Sequence, residues 1–443
     1  MTGHDAGASR ATPAPASPAT PVAGDTHPDR WRMLALLACA ELLGMSLWFS
    51  GTAVAPQLAL EWGLDGAQVG WLTTMVQLGF VAGTALSALL NLADVVPART
   101  LFTLAALAGA AANALLAWAA TYELALASRF AAGFCLAGVY PPAMKMAATW
   151  FRARRGLAVG TVVGALTVGK AGPYLVHAIP GIGVAPVVLA ASASAVVAAL
   201  LVWWGYRDGP YPFPARPFSW GLVGSVVRER RWRLASGGYL GHMAELYSYW
   251  TWIPAFVAAS AVARAGGAGG AGGAGGAGPD AAARSPLVSL LSFGVIAVGG
   301  AGCIWGGLVA DRVGRARLVT WAMAASGACA LLIGLTFGRS WWLLAPVALA
   351  WGFFVIADSA QFSVLVTESV PPHAVGTALT VQVSLGFLLT TITIQLVPPV
   401  VAMVGWAWAF PMLAIGPALG IWSIRALREP QRPARREAKV VAR

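Results

Sequence analysis

Twelve apolar stretches follow one another along the chain, each long enough to cross a ~30 Å hydrocarbon layer as a helix of about 20 residues. They run over 33–56, 69–91, 99–120, 124–147, 157–180, 183–205, 234–260, 287–310, 317–337, 340–363, 374–398 and 403–426. The fifth and sixth are parted by the turn signal Pro180-Gly181. Only 10% of the residues are charged and 58% are hydrophobic. A soluble protein carries about a quarter charged residues, so there is too little polar surface here to coat a globule in water. The bilayer is the solvent, and helices satisfy their own backbone within it.

The net charge of +12 would suit nucleic acid if it lay on one soluble face. Its placement argues for orientation instead. Of the 29 Lys and Arg, Arg264, Arg284 and Arg339 fall in loops on one side, and Arg129, Lys145 and Lys170 fall within spans. All the others lie in the two tails or in loops on the opposite side. By the positive-inside rule that side is cytoplasmic, with both termini in it. The preference for Arg over Lys, with abundant Ala and Gly, points to a GC-rich bacterium and so to the bacterial inner (plasma) membrane. Cys39, Cys135, Cys303 and Cys329 lie in apolar stretches without a CxxC pair and read as small buried residues.

Residues 1–30 lack an apolar run and read as a disordered cytoplasmic tail. Residues 31–205 hold six spans, 206–233 form a proline-rich, basic interdomain loop, and 234–427 hold six more. A Gly/Ala linker, 265–279, interrupts the second set on the outer side, and 428–443 form a basic cytoplasmic tail. The two sets repeat one another. Ala40-Glu41-Leu42 with Trp48 recurs as Ala244-Glu245-Leu246 with Trp252, Ala93-Asp94 as Ala310-Asp311, and Ala158-Val159-Gly160-Thr161 as Ala374-Val375-Gly376-Thr377. The offset widens between spans seven and eight, where the linker sits. The expectation is an all-α membrane protein of twelve transmembrane helices in two pseudo-symmetric six-helix bundles. Duplicated halves of this kind place a solute site between them near the midplane.

The chain resembles the major facilitator superfamily. Residues 307–315, "GLVADRVGR", match its loop signature G-x-x-x-D-[RK]-x-G-[RK] between spans eight and nine. The first-half counterpart, "LNLADVVPAR" (90–99), keeps Asp94 but has Leu90 and Pro97 where glycines belong. "RFAAG" (129–133) resembles the family's R-x-x-Q-G, with Ala132 replacing glutamine, and "RGLAVG" (155–160) its usual entry to span five. "GKAGP" (169–173) approaches the exporter signature G-x-x-x-G-P but has Val168 where a glycine belongs. The resemblance implies alternating access by two rocking halves. It assigns a gating role to Asp94, Gly307, Asp311, Arg312, Gly314 and Arg315, with the arginines pairing with Asp311 or with the facing half. It assigns Arg129 to coupling.

A charge at the bilayer centre costs at least ~2.5–3.5 kcal/mol on insertion scales, so charged residues there face a cavity or a partner. Glu41 and Glu245 fall near the midplane of spans one and seven, where a carboxyl group can take up and release a proton. Hydrogen bonding to a neighbouring helix is the alternative for each. His242, three residues before Glu245, shares its helical face and would form a relay or a local hydrogen bond with it. A metal site is not expected. Lys170, one of three lysines in the chain, sits among Gly164, Gly169 and Gly172 too deep to reach water. It reads as a cavity cation for an acidic residue or an anionic solute. Lys145 and Asp358 lie near the cytoplasmic ends of their spans, where snorkelling or pairing would serve. Trp48 and Tyr247 are deep enough to touch a solute.

The substrate and cavity set is therefore Lys170, Glu41, Glu245, Arg129, Trp48, Tyr247 and His242, with Glu41, Glu245 and Arg129 carrying proton coupling. The function expected is secondary active, proton-coupled transport of a small anionic solute, with the solute, protons and the bilayer as partners and a monomer as the unit. The alternative is a proton-antiport exporter of amphipathic or cationic compounds. No P-loop is present, no cofactor is expected, and no nucleophile–base pair supports an enzyme. A transporter-shaped receptor is the remaining class.

Overall fold

The computed structural model describes residues 27–151, 154–211, 218–266 and 285–428, without the side chains of Ala93, Asp94, Arg155 and Arg428. Most of the expected N-terminal tail, most of the Gly/Ala linker and the basic C-terminal tail lie outside the described residues. Twelve long helices follow in order. The first six are α1 (Arg30–Trp62), α2 (Gly66–Leu89), α3 (Ala98–Trp118), α4 (Tyr122–Ala148), α5 (Gly156–His177) and α6 (Val184–Gly205). Then come α7 (Arg230–Gly266), α8 (Pro286–Val313), α9 (Arg315–Thr336), α10 (Trp341–Thr367), α11 (Pro372–Val404) and α12 (Trp406–Leu427). Each overlaps one of the twelve expected spans.

Eleven of these helices are long and apolar enough to cross a membrane among the described residues. The other, α7, is the longest at 37 residues, but its apolar run is diluted by His242, Glu245, serines and tyrosines. It affords this because α8, α10, α11 and α12 all pack on it. A helix shielded by other helices need not be apolar all round.

Four helices change geometry part-way along their length, α12 among them, where 3-10 geometry covers Phe410–Ala414. In α1 the helix tightens to 3-10 geometry at Met45–Leu47 and restarts at Ser50. In α4 the break precedes Tyr140, with Pro141 and Pro142 in the first turn of the new segment. In α10 it falls on Asp358, between Trp341–Ala357 and Ser359–Thr367. The start of α2 is fixed by a capping box in which Asp65 accepts from the Gln68 amide at 2.8 Å and Gln68 answers at 2.9 Å.

The helix contacts repeat between halves. In the first half α1 packs on α5 and α6, α2 on α4, and α3 on α4 and α6. In the second half α7 packs on α11 and α12, α8 on α10, and α9 on α10 and α12. The two seams between halves, α5 with α8 and α2 with α11, are also exchanged by the repeat. These are two pseudo-symmetric six-helix bundles. The 206–233 loop is shorter than the sequence suggested. Trp220–Arg228 forms a short amphipathic helix and α7 starts at Arg230, and neither stretch carries a helix-breaking proline at its start.

The described residues begin, in α1, and end, in α12, at one end of the bundle, here the terminal end. Along α5 and α8 the halves touch over the full length of the helices. Gly164 and Gly300 meet backbone to backbone near the middle, where a side chain on either would press on the other's carbonyl oxygen. At the far end His177 Nδ1 lies 2.8 Å from Ser289 Oγ. On the other seam Gln395 Nε2 donates to Thr74 Oγ1 at 3.1 Å, and the rings of Phe80 and Phe387 are 4.6 Å apart. A cleft of about 300 Å³ enters between the halves near the far end.

Candidate functional site: a lysine in an aromatic cage

The crossing of α1 and α5 builds the site. Gly169 lies against the Leu42 carbonyl so closely that any Cβ would overlap it. The next residue on each helix's facing side is therefore brought near its counterpart. These are Lys170 and Glu41, and each feels the other's charge. Both are buried, at 3% and 0% exposure, and face the protein interior rather than lipid.

Lys170 is caged. Its Nζ lies 4.2 Å from the ring centroid of Trp48, 4.9 Å from that of Tyr247 and 5.2 Å from that of Trp250. Desolvated contacts of this kind are worth up to about 2 kcal/mol. The ammonium donates to Tyr247 Oη at 2.7 Å, a hydrogen bond that joins the halves. An ammonium has three donors, and only Tyr247 accepts from this one among the described residues. Around it stand further buried donors with no acceptor: Trp48 Nε1, Trp250 Nε1 and Tyr174 Oη. Both Glu41 carboxyl oxygens are also without a hydrogen-bond partner. Leaving a buried polar group unpaired costs about 1–3 kcal/mol. Sequence reasoning singled out Lys170, Trp48 and Tyr247, and they do meet. It assigned neither Trp250 nor Tyr174 to the site, although Tyr174 is one helical turn from Lys170.

Arg129 serves a different place. Its Nη1 donates to Ser50 Oγ at 3.1 Å and Asn113 Oδ1 at 2.6 Å. Its Nη2 donates to the carbonyls of Leu47 at 2.9 Å and Trp48 at 2.6 Å. Those carbonyls are freed by the 3-10 break in α1. Asn113 extends the network to the Val188 carbonyl and Ser192 Oγ on α6. No carboxylate touches Arg129 among the described residues. It holds the break that sets Trp48 over Lys170. The coupling trio expected from sequence is not gathered in one site.

Glu245 is likewise apart from the cage. Its Oε1 accepts from Trp351 Nε1 at 2.8 Å and its Oε2 from Ser326 Oγ at 2.9 Å, on α10 and α9. Both partners belong to its own half. His242 does not pair with Glu245 as the i, i+3 spacing suggested, because its ring turns to α10. There His242 Nδ1 lies 2.9 Å from Asp358 Oδ1, both side chains almost wholly buried. Asp358 is therefore paired inside the protein and does not snorkel.

In the loop signature, Gly314 has φ +89° and ends α8. Gly307 faces the Gly156 carbonyl, and Asp311 lies near Gly156 at the N-terminus of α5, where a helix dipole favours an anion. Arg315 bonds Glu368 of its own half at 3.0 Å, rather than Asp311 or the facing half, the two partners expected, because Glu368 ends α10 beside it. Arg312 is exposed. The Asp94 side chain lies outside the described residues.

Twelve helices in twinned bundles, closed over a buried cation and its unpaired neighbours, define a membrane transporter. The family model described as Major Facilitator Superfamily matches residues 36–282, more than half of the chain, and the chain belongs to that superfamily. Comparison with curated proteins finds no match.

Proposed function

We propose that this transporter is a proton-coupled secondary carrier, moving a small anionic solute by alternating access between its halves. One observation carries the reading. A buried lysine at the contact of the halves is surrounded by hydrogen-bond donors that no protein acceptor satisfies. An anion supplies the acceptors these donors lack. Glu41, unpaired and within electrostatic reach of Lys170, is the proton carrier. Its protonation releases Lys170 for the solute, and its deprotonation returns the counter-charge. Lys170, Trp48 and Tyr247 contact the solute, while Arg129, Glu245 and His242 hold the scaffold. The loop of Gly307, Asp311, Arg312, Gly314 and Arg315 lies at the terminal end, where Asp311 against α5 latches the closed seam.

The chain sits in a bacterial inner membrane with both termini cytoplasmic, so the cleft opens outward. A single chain holds every group of the site, and a monomer is the working unit. Proteoliposomes containing the purified protein test this. Uptake of a labelled organic anion, driven by an inward proton gradient and lost in Lys170→Gln, is the expected result. Gradient-independent uptake, or full uptake by Lys170→Gln, overturns it. A rival has its own support in Glu41, whose buried, unpaired carboxyl would suit an amphipathic cation leaving by proton antiport. Proton-driven expulsion of a lipophilic cation, with no anion uptake, would establish that rival.

A further inference from the structure

We infer that the solute is an amphipathic monoanion, a single carboxylate on an apolar, ring-sized body. This rests on Lys170 being the anion-binding group, and it is drawn from what lies between Lys170 and the far end. The cleft there is almost entirely apolar, with Val69, Trp252, Ala255, Ala258 and Val288 among its walls. Its volume, about 300 Å³, is at the small end of ligand pockets. Thr52 and Tyr174 line it, each four residues beyond a cage residue, Trp48 and Lys170. Four residues are about one helical turn, ~6 Å. The cleft thus ends one turn from the caged ammonium, and the hydroxyl of Tyr174, one of its lining residues, is unpaired.

A strongly hydrated anion gains nothing from such walls and must shed its water to pass them. A body of one ring gains apolar burial there while its carboxylate reaches the donors of Lys170, Trp48, Trp250 and Tyr174. One negative charge is the limit. Lys170 is the sole cation of the cage among the described residues, and a second carboxylate would find no counter-charge there. The unpartnered amides of Gln77 on α2 and Gln382 on α11 add uncharged polar contacts along the other seam without adding charge.

Binding to the full-length protein in nanodiscs, read by tryptophan fluorescence and by thermal shift, tests the inference. The probes are benzoate, acetate, inorganic phosphate, phthalate, benzamide and benzylammonium. Benzoate is expected to bind at least about tenfold more tightly than acetate. Phosphate, phthalate and benzamide should bind weakly or not at all. Lys170→Gln should abolish benzoate binding. Trp48→Leu should narrow the benzoate-to-acetate ratio, with the melting temperature of each variant reporting that it is folded. Acetate or phosphate binding as tightly as benzoate overturns the apolar body and leaves the anion reading standing. Equal binding of benzamide overturns the role of charge. Benzylammonium binding with no anion binding overturns the anion reading itself. Benzoate binding that survives in a folded Lys170→Gln protein moves the anion away from the cage and overturns the inference.

Discussion

Glu41 and Glu245 occupy the same place in the repeat, and so do Trp48 and Trp252, yet the two halves treat them oppositely. In the second half every one of these polar atoms is matched. Ser326 and Trp351 serve Glu245, and Trp252 donates to the Ile394 carbonyl at 2.9 Å. In the first half neither Glu41 oxygen nor Trp48 Nε1 has a partner. Lys170 stands opposite Glu41, whereas the corresponding position on α11 is Gly386, against which Tyr239 packs. Duplication supplied two equivalent carboxyl positions. One is fully hydrogen-bonded within its own half, and the other is left without a hydrogen-bond partner among the described residues.

Removing each group in turn can break this contrast. The largest effect is expected for Glu41→Gln, which should abolish uphill accumulation in proteoliposomes while solute exchange without a gradient persists. Retained accumulation would end the contrast. Next comes Arg129→Met, which strands the Leu47 and Trp48 carbonyls and Asn113. It should lower stability by about 3–5 kcal/mol, the range for removing one partner of a buried charged network. Thermal melting measures this, and Arg129→Lys should not rescue it, because an ammonium cannot span four acceptors as the guanidinium fork does. Glu245→Gln keeps an acceptor for Trp351 or Ser326 but not the same pair of bonds. A loss of about 1–2 kcal/mol is expected, with gradient-driven transport intact. A folded Glu245→Gln protein that cannot couple would show that both carboxyls work. The smallest change is expected from Arg315→Ala. Its bridge to Glu368 is solvent-exposed at 3.0 Å, and such pairs contribute under about 1 kcal/mol.

The sequence made the helices legible because hydrocarbon demands length and apolarity, and both can be counted. Lys170 was legible for the same reason: a lone ammonium in a glycine-rich span needs an interior partner. Gly169, which sets the approach to Leu42, was visible only as a small residue. The duty of Arg129 was not legible. It depends on the break at Met45–Leu47, and a 3-10 turn inside an apolar run leaves little trace beyond Gly44 and Ser46. The signal available was Asn113, a lone amide deep in α3. Glu245 and His242 were one turn apart on one helix, so sequence spacing paired them. Their real partners, Trp351, Ser326 and Asp358, lie on helices whose neighbourhood follows only from tertiary packing.

The composition of α7 bears on how the chain is made. A segment carrying Arg230, Arg231, Arg233, His242 and Glu245 is a poor substrate for the insertion machinery by itself, since charged residues oppose partitioning into lipid. The helices packed most extensively on it, α8, α10, α11 and α12, are synthesised later. During translation α7 must therefore wait, or cross in company with α8, before its final neighbours close around it. A ribosome stalled far enough past Gly266 for α7 to have left the exit tunnel, but before α10 is made, would hold a nascent chain whose seventh helix remains extractable by alkaline carbonate treatment. One stalled past α12 would not.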